Sequence, residues 1–217
     1  MKAFIRYCGV ALAAGMLWGC SSMWDATREK VFKTEKRDIL VDRVSAAKSA
    51  QEDTQEVFQD ALEQFSAVVG FDGGDLEKEY RKMEDIYTRC HERALALDER
   101  IDNVERVSKA LFKEWKAEIK EYENRTFAQD SEKKLRETET QCDRMISAMR
   151  NAESKINPVL RVFKDQVLFL KHNLNAAAIA SLGGQTAQVE TDVKELLAEM
   201  NEAIAEADRF IARMAAP

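Results

Sequence analysis

From Leu40 onward, apolar positions recur along the chain with the period of a helix rather than that of a strand. Leu40, Val44, Ala47, Gln51, Thr54, Phe58, Ala61, Phe65 and Val68 follow alternating steps of four and three, which places them on one face of a helix beginning near Lys36. Gly70-Phe71-Asp72-Gly73-Gly74-Asp75 interrupts that stripe, and Asp75 can cap whatever follows. A second stripe then runs Leu76, Tyr80, Met83, Tyr87, Cys90, Ala94, Leu97, Ile101, Val104, Ser108, Leu111, Trp115, Glu118 and Tyr122, almost seven heptads with polar interruptions only at Ser108 and Glu118. Spacing sustained over that length predicts coiled-coil-like packing.

No glycine or proline ends the second stripe. Continued, it would fall on Gln129, Glu132, Arg136 and Glu139, all polar; the apolar positions instead restart out of phase at Leu135, Thr138, Cys142, Met145, Met149 and Ala152. A turn near Asn124 accounts for the phase change, and Thr126 with Gln129 has the spacing of a capping box. The third stripe continues through Ile156, Val159, Phe163, Gln166, Leu170, Asn173 and Ala177 to about Leu182, with a kink rather than a stop expected at Pro158 because the phase is kept across it. Gly183-Gly184 ends it. Val189, Val193, Leu196, Met200, Ala203, Ala207, Phe210 and Met214 form the last stripe.

Short turns between long helices favour antiparallel neighbours. The pattern therefore predicts an all-α fold, an elongated antiparallel helical bundle or coiled coil of about four long helices. With a turn near residue 125, facing positions on the two middle helices sum to about 250, so Trp115 faces Leu135 and Ser108 faces Cys142. Cys90 then lies about 27 Å from Cys142 at helical rise, far beyond the ~7 Å between Cα atoms that a disulfide requires. Two free, buried thiols are expected. Both Gly-Gly turns fall at one end of the bundle and the Asn124 turn at the other.

Composition narrows the classes. Among 217 residues there are two prolines and eight glycines, three of the glycines within the first 19 positions, too few turn-formers for an all-β or doubly wound chain. The net charge of −6, with no basic face in the sequence, argues against nucleic acid as a partner.

The N-terminus changes the picture more. Met1-Lys2-Ala3-Phe4-Ile5-Arg6 is basic, Val10 to Trp18 is apolar, and Gly19-Cys20 follows, the three-part pattern of a secretory signal. Its core of about nine residues is short of the roughly 20 that span a bilayer. Leu17-Trp18-Gly19-Cys20 resembles a bacterial lipobox, with Trp18 where a small residue is usual; the resemblance implies cleavage before Cys20 and acylation, such as palmitoylation, of that cysteine. Ser21 and Ser22, with no aspartate after Cys20, resemble lipoproteins passed to the outer membrane. The expected organisation is a cleaved signal over 1–19, a lipidated tether over 20–36 and one helical-bundle domain over 37–217.

Reactive chemistry is sparse. His91 and His172 are the only histidines, Cys90-His91 has no second ligand pair, and no phosphate-cradling glycine loop accompanies Gly73-Gly74 or Gly183-Gly184. No catalytic residue, metal or cofactor is expected. The stretch Val167 to Ala178 combines strong apolarity with the polar group Lys171, His172, Asn173 and Asn175, and the expected register sets it near Asp72, Gly73 and Gly74. These seven residues form a candidate partner-binding group. The first reading of this polar group is structural, with Asn173 fixing register on the seam and His172 and Asn175 hydrogen-bonding neighbouring ends; a distal partner-binding patch is the second. Gln51, Thr54, Gln166 and Asn173 together suggest a polar layer.

Lys36-Arg37-Asp38-Ile39-Leu40-Val41-Asp42-Arg43-Val44, Phe71-Asp72-Gly73-Gly74-Asp75-Leu76, Leu135-Arg136-Glu137-Thr138, and Pro158 onward through Leu170-Lys171-His172-Asn173-Leu174-Asn175-Ala176 resemble a family of uncharacterised Gram-negative lipoproteins known only as a domain of unknown function. The resemblance implies a lipid-anchored helical protein and supplies no reaction. The expected function is a non-enzymatic periplasmic scaffold or adaptor. Its expected partners are the membrane through the N-terminal lipid, an envelope protein and a second copy of the chain. A chaperone-like module holding envelope proteins or lipid at its tip or groove is the alternative; a hydrolase would need a pocket around His172.

Overall fold

The computed structural model describes residues 21–71, 73 and 75–215, with side chains from residue 36 onward (Ala176 aside). The signal, Cys20, Asp72 and Gly74 lie outside the described residues. The chain divides into two units, Met1–Glu35 and Lys36–Pro217. The second is an all-α bundle, with no strand among the described residues. Five helices follow in order: α1 Ser21–Val69, α2 Leu76–Ile119, α3 Arg125–His172, α4 Ala176–Gly183 and α5 Thr186–Ala215. None is long and apolar enough to cross a membrane.

Helix starts and stops follow local chemistry. Gly70 N–H donates to the Ser66 carbonyl at 2.9 Å, closing α1, and Gly73 takes φ +148°, a conformation that side chains oppose, on the way to α2. The Asp75 carboxylate accepts from Lys78 N–H at 3.2 Å, and Glu77 and Glu79 in the first turn suit the positive end of the helix. α2 closes at Ile119, one turn short of Tyr122. The cap of α3 is Asn124, whose Oδ1 accepts from Thr126 N–H at 2.9 Å and Phe127 N–H at 3.4 Å. The expected Thr126 capping box is therefore displaced by two residues. Asparagine, with its short carbonyl, does the same job at the turn itself.

Two further differences concern length. α1 begins at Ser21, within the segment read as a tether; Ala26, Arg28, Glu29, Lys30 and Lys33 are good helix formers that need no apolar stripe. The third helix runs through Pro158 without stopping but ends at His172 rather than near Leu182. Asn173, Leu174 and Asn175 separate it from the short α4. Gly183 is the last residue of α4, not of α3.

All nine α1 stripe positions and all eight α5 positions are buried. Phe58, Phe65, Phe163 and Phe210 are the bulkiest of the fully buried side chains, each contributing about 2–3 kcal/mol by removal from water. Cross-helix contacts give the register. Arg93–Asp53 at 3.1 Å and Arg89–Asp60 at 3.4 Å set α2 antiparallel to α1. Lys116–Glu139 at 2.5 Å and the Trp115 Nε1–H donated to Ser131 Oγ at 2.8 Å set α3 antiparallel to α2, with positions summing to about 250. Lys48–Asp208 at 2.6 Å joins α1 to α5. α1 and α3 consequently run parallel, with the Phe58 and Phe163 ring centroids 6.4 Å apart. By that offset Gln166 is level with residue 61, about 15 Å along the axis from Gln51, so the buried polar residues do not form one layer. Asn173 is also only half-buried and lies at the helix end.

Candidate functional site

The end of the bundle carrying the Gly70–Asp75 and Gly183–Gln185 connections holds the predicted group. A Cβ placed on Gly183 would lie 3.6 Å from Val69 Cγ1, so the two connections are neighbours. Asn173 and Asn175 break and restart the helix between them. Asn173 N–H donates to the Leu170 carbonyl at 3.1 Å and its Nδ2 to the Phe169 carbonyl at 2.9 Å. Asn175 N–H donates to the Asn173 carbonyl at 2.9 Å, and its Oδ1 accepts from Ala178 N–H at 3.0 Å. An asparagine side chain offers the backbone these local partners in place of the helical ladder, which is why the apolar stripe alone overran the break.

Lys171 and His172 sit exposed in the last turn of α3, where positive charge suits the carbonyl end of the helix. Of the seven candidate residues, Lys171, His172, Asn173 and Asn175 lie together, and Gly73 belongs to the neighbouring turn. No hydrogen bond joins Gly73 to the other four among the described residues. Leu168 and Phe169, off the buried stripe of α3, and Leu174, within the break, stand at 47%, 38% and 42% exposure, three large apolar side chains within seven positions. The exposure of Leu168 and Phe169 follows from their place off the α3 stripe, whereas Leu174 lies in a break that the stripe did not show.

The thiols are structural. Cys90 and Cys142 are free and buried, as the register required. Burial pushes each up to about 12, with Arg89 opposing the rise at Cys90 and a hydrogen bond with Ser108 opposing it at Cys142. That bond also places Ser108 opposite Cys142. The Cys90 Sγ donates to the Val57 carbonyl at 3.6 Å. Neither thiol yields thiolate at neutral pH. His91 points away from Cys90, exposed and stacked on Tyr87 with centroids 6.3 Å apart. Among the described residues no group of three or more His, Cys, Asp or Glu side chains is set to hold a metal ion.

Two surface features escaped the sequence reading. A groove of about 800 Å³ runs between α2 and α3 over a floor of Ser108, Phe112 and Ile146. Its α2 rim carries Lys109, Lys113, Lys116 and Lys120, whose four-three-four spacing was legible. Beside it, Arg150 of α3 binds Asp98 at 2.7 Å, Glu105 at 2.8 Å and Glu153 at 2.9 Å, and also contacts Asp102. Desolvation disfavours that guanidinium's charge, but the hydrogen bonds it donates to Glu153, Asp98, Glu105 and Asp102 outweigh it and hold its pKa above the ordinary arginine value.

No curated protein and no solved structure matches the chain. A family model described as Protein of unknown function (DUF2959) matches residues 24–214, which takes in every helix of the bundle. The chain belongs to the DUF2959 family.

Proposed function

We propose that this protein is a non-enzymatic lipoprotein, anchored through Cys20 to the periplasmic face of the outer membrane, whose bundle is a scaffold or adaptor for an envelope protein. The observation that carries the reading is the polarity of the helical unit. Its first residue, Lys36, pairs with Glu114 at 2.6 Å, near the α2–α3 turn. The exposed Leu168, Phe169 and Leu174 lie at the opposite end. The chain that follows Cys20 enters the helical unit at the Lys36 end, and the apolar residues stand at the other end of that unit. Thiols buried and held as neutral SH support a binding rather than a reactive role.

The test is radiolabelled palmitate incorporation with membrane fractionation, followed by photo-crosslinking from position 169. Wild type should carry label in the outer-membrane fraction, and Cys20→Ser should lose both. One envelope protein should crosslink from position 169 and not from Tyr122 at the other end. Label on a Cys20→Ser chain, or equal capture from both ends, sinks the reading.

The exposure of Leu168, Phe169 and Leu174 favours a second reading, a chaperone-like module that holds unfolded envelope proteins or lipid. It predicts suppressed aggregation of a reduced client protein, lost in Leu168→Asp with Leu174→Asp.

A further inference from the structure

We infer that the outward face of α2 is a self-complementary interface on which a second copy of this chain docks antiparallel. Leu95 stands 59% exposed in the middle of this helix, where the inward stripe has no use for it. Glu92 and Glu99, one turn to either side, are exposed and have no ion-pair partner among the described residues. Further along the same face come Lys109, Lys113, Lys116 and Lys120, the rim of the apolar-floored groove. Lys109 and Lys116 reach Glu105 and Glu139 within the chain, while Lys113 and Lys120 have no such partner among the described residues.

One helix face thus carries an acidic half with an exposed leucine and a basic half with an apolar groove. A two-fold axis brings each half onto its complement. With Leu95 of one copy seated over the Lys113–Lys116 segment of the other, facing positions sum to about 209 and the axis passes level with Val104 and Glu105. Glu99 then meets Lys109 and Glu92 meets Lys116, and the same pairs recur across the axis. The contact runs from about residue 88 to 120 on each copy, roughly 50 Å of helix at 1.5 Å per residue. Parallel docking would set lysine on lysine, so charge fixes the direction as well as the partner. The inference goes beyond the anchor and stands whether or not Cys20 carries lipid.

Sedimentation of the full chain in mild detergent tests it. Wild type should sediment as a dimer that loosens as salt rises. Lys109→Glu with Lys116→Glu, and separately Glu92→Lys with Glu99→Lys, should each weaken association at least about tenfold while circular dichroism stays helical. An equimolar mixture of the two variants should restore the dimer, because every reversed pair is then opposite in sign. Leu95→Asp should weaken association without touching the charge pairs. A monomeric wild type overturns the inference, as does a dimer unmoved by the reversals or a mixture that fails to restore it.

Discussion

Arg150 of α3 and Glu105 of α2, 45 positions apart, meet through Nε–H donated to Oε1 at 2.8 Å, and the same guanidinium also gathers Asp98, Asp102 and Glu153. Three of the four carboxylates belong to α2, at positions about one turn apart. A single side chain therefore ties α3 to nearly two turns of its antiparallel neighbour. A slip of one turn would leave at most two of the three within reach, so Arg150 reinforces the register that the apolar seam sets.

Arg150→Ala should cost about 2 kcal/mol of stability, because charge-assisted bonds are lost and four carboxylates are left adjacent. The value is modest for four bonds since Asp98 and Asp102 are about half exposed and screened by solvent. Urea unfolding measures it. Arg150→Lys should recover only part, lacking the planar fork.

The thiols predict a pH dependence on the alkaline side. Their folded pKa values are raised to about 12, so the unfolded chain releases those protons first. The stability they contribute is fully present below the ordinary thiol pKa and is lost as pH rises toward 12, by about 1.4 kcal/mol per unit for each thiol. Relative to wild type, Cys90→Ala with Cys142→Ala should flatten the stability profile above about pH 9. A thiol reagent should label neither cysteine in the folded chain at neutral pH and both once the chain unfolds.

Gln51 and Gln166 are buried, and neither side-chain polar atom of either has a hydrogen-bond partner among the described residues. Gln51→Leu should stabilise by about 1–2 kcal/mol, since an apolar group of similar length removes a desolvation cost. The midpoint of urea unfolding should rise with an unchanged slope. Gln166→Leu should act in the same direction, and the two should add because they are about 15 Å apart along the axis.

Asn175→Ala removes the side chain that caps α4 and should cost about 1 kcal/mol. Hydrogen exchange should accelerate in 176–183 and leave α2 untouched. Equal acceleration across the bundle would mean that the break at 173–175 is not a local feature.

Much of this architecture was legible because a seam must repeat with the helix. Leu40 through Val68 and Val189 through Met214 are buried at every predicted position. The change of phase after Trp115 located the α2–α3 turn with no glycine or proline to mark it. The same register put Ser108 against Cys142 and kept Cys90 and Cys142 apart. Less was legible where side chains compete with the backbone. Asn173 satisfies the four-three spacing and yet ends a helix, because its amide bonds the Phe169 carbonyl. Periodicity records where a side chain would point in a helix, not whether the helix continues.

The four-three spacing alone told which residues of α1 and α5 face inward, since it leaves one face per helix to be covered; on α2 it passed over the buried Ile86 and Phe112 and counted the exposed Tyr122. It also determined that the bundle would be built from long antiparallel neighbours with two unreacted thiols. What surrounds that seam came from the packed helices. Arg150 collects carboxylates from two helices, Glu92 and Glu99 beside Leu95 have no ion-pair partner among the described residues, and α3 stops at His172 so that Leu174 lies in a break. Those outcomes depend on rotation and length of facing helices, quantities that a stripe along one chain does not encode.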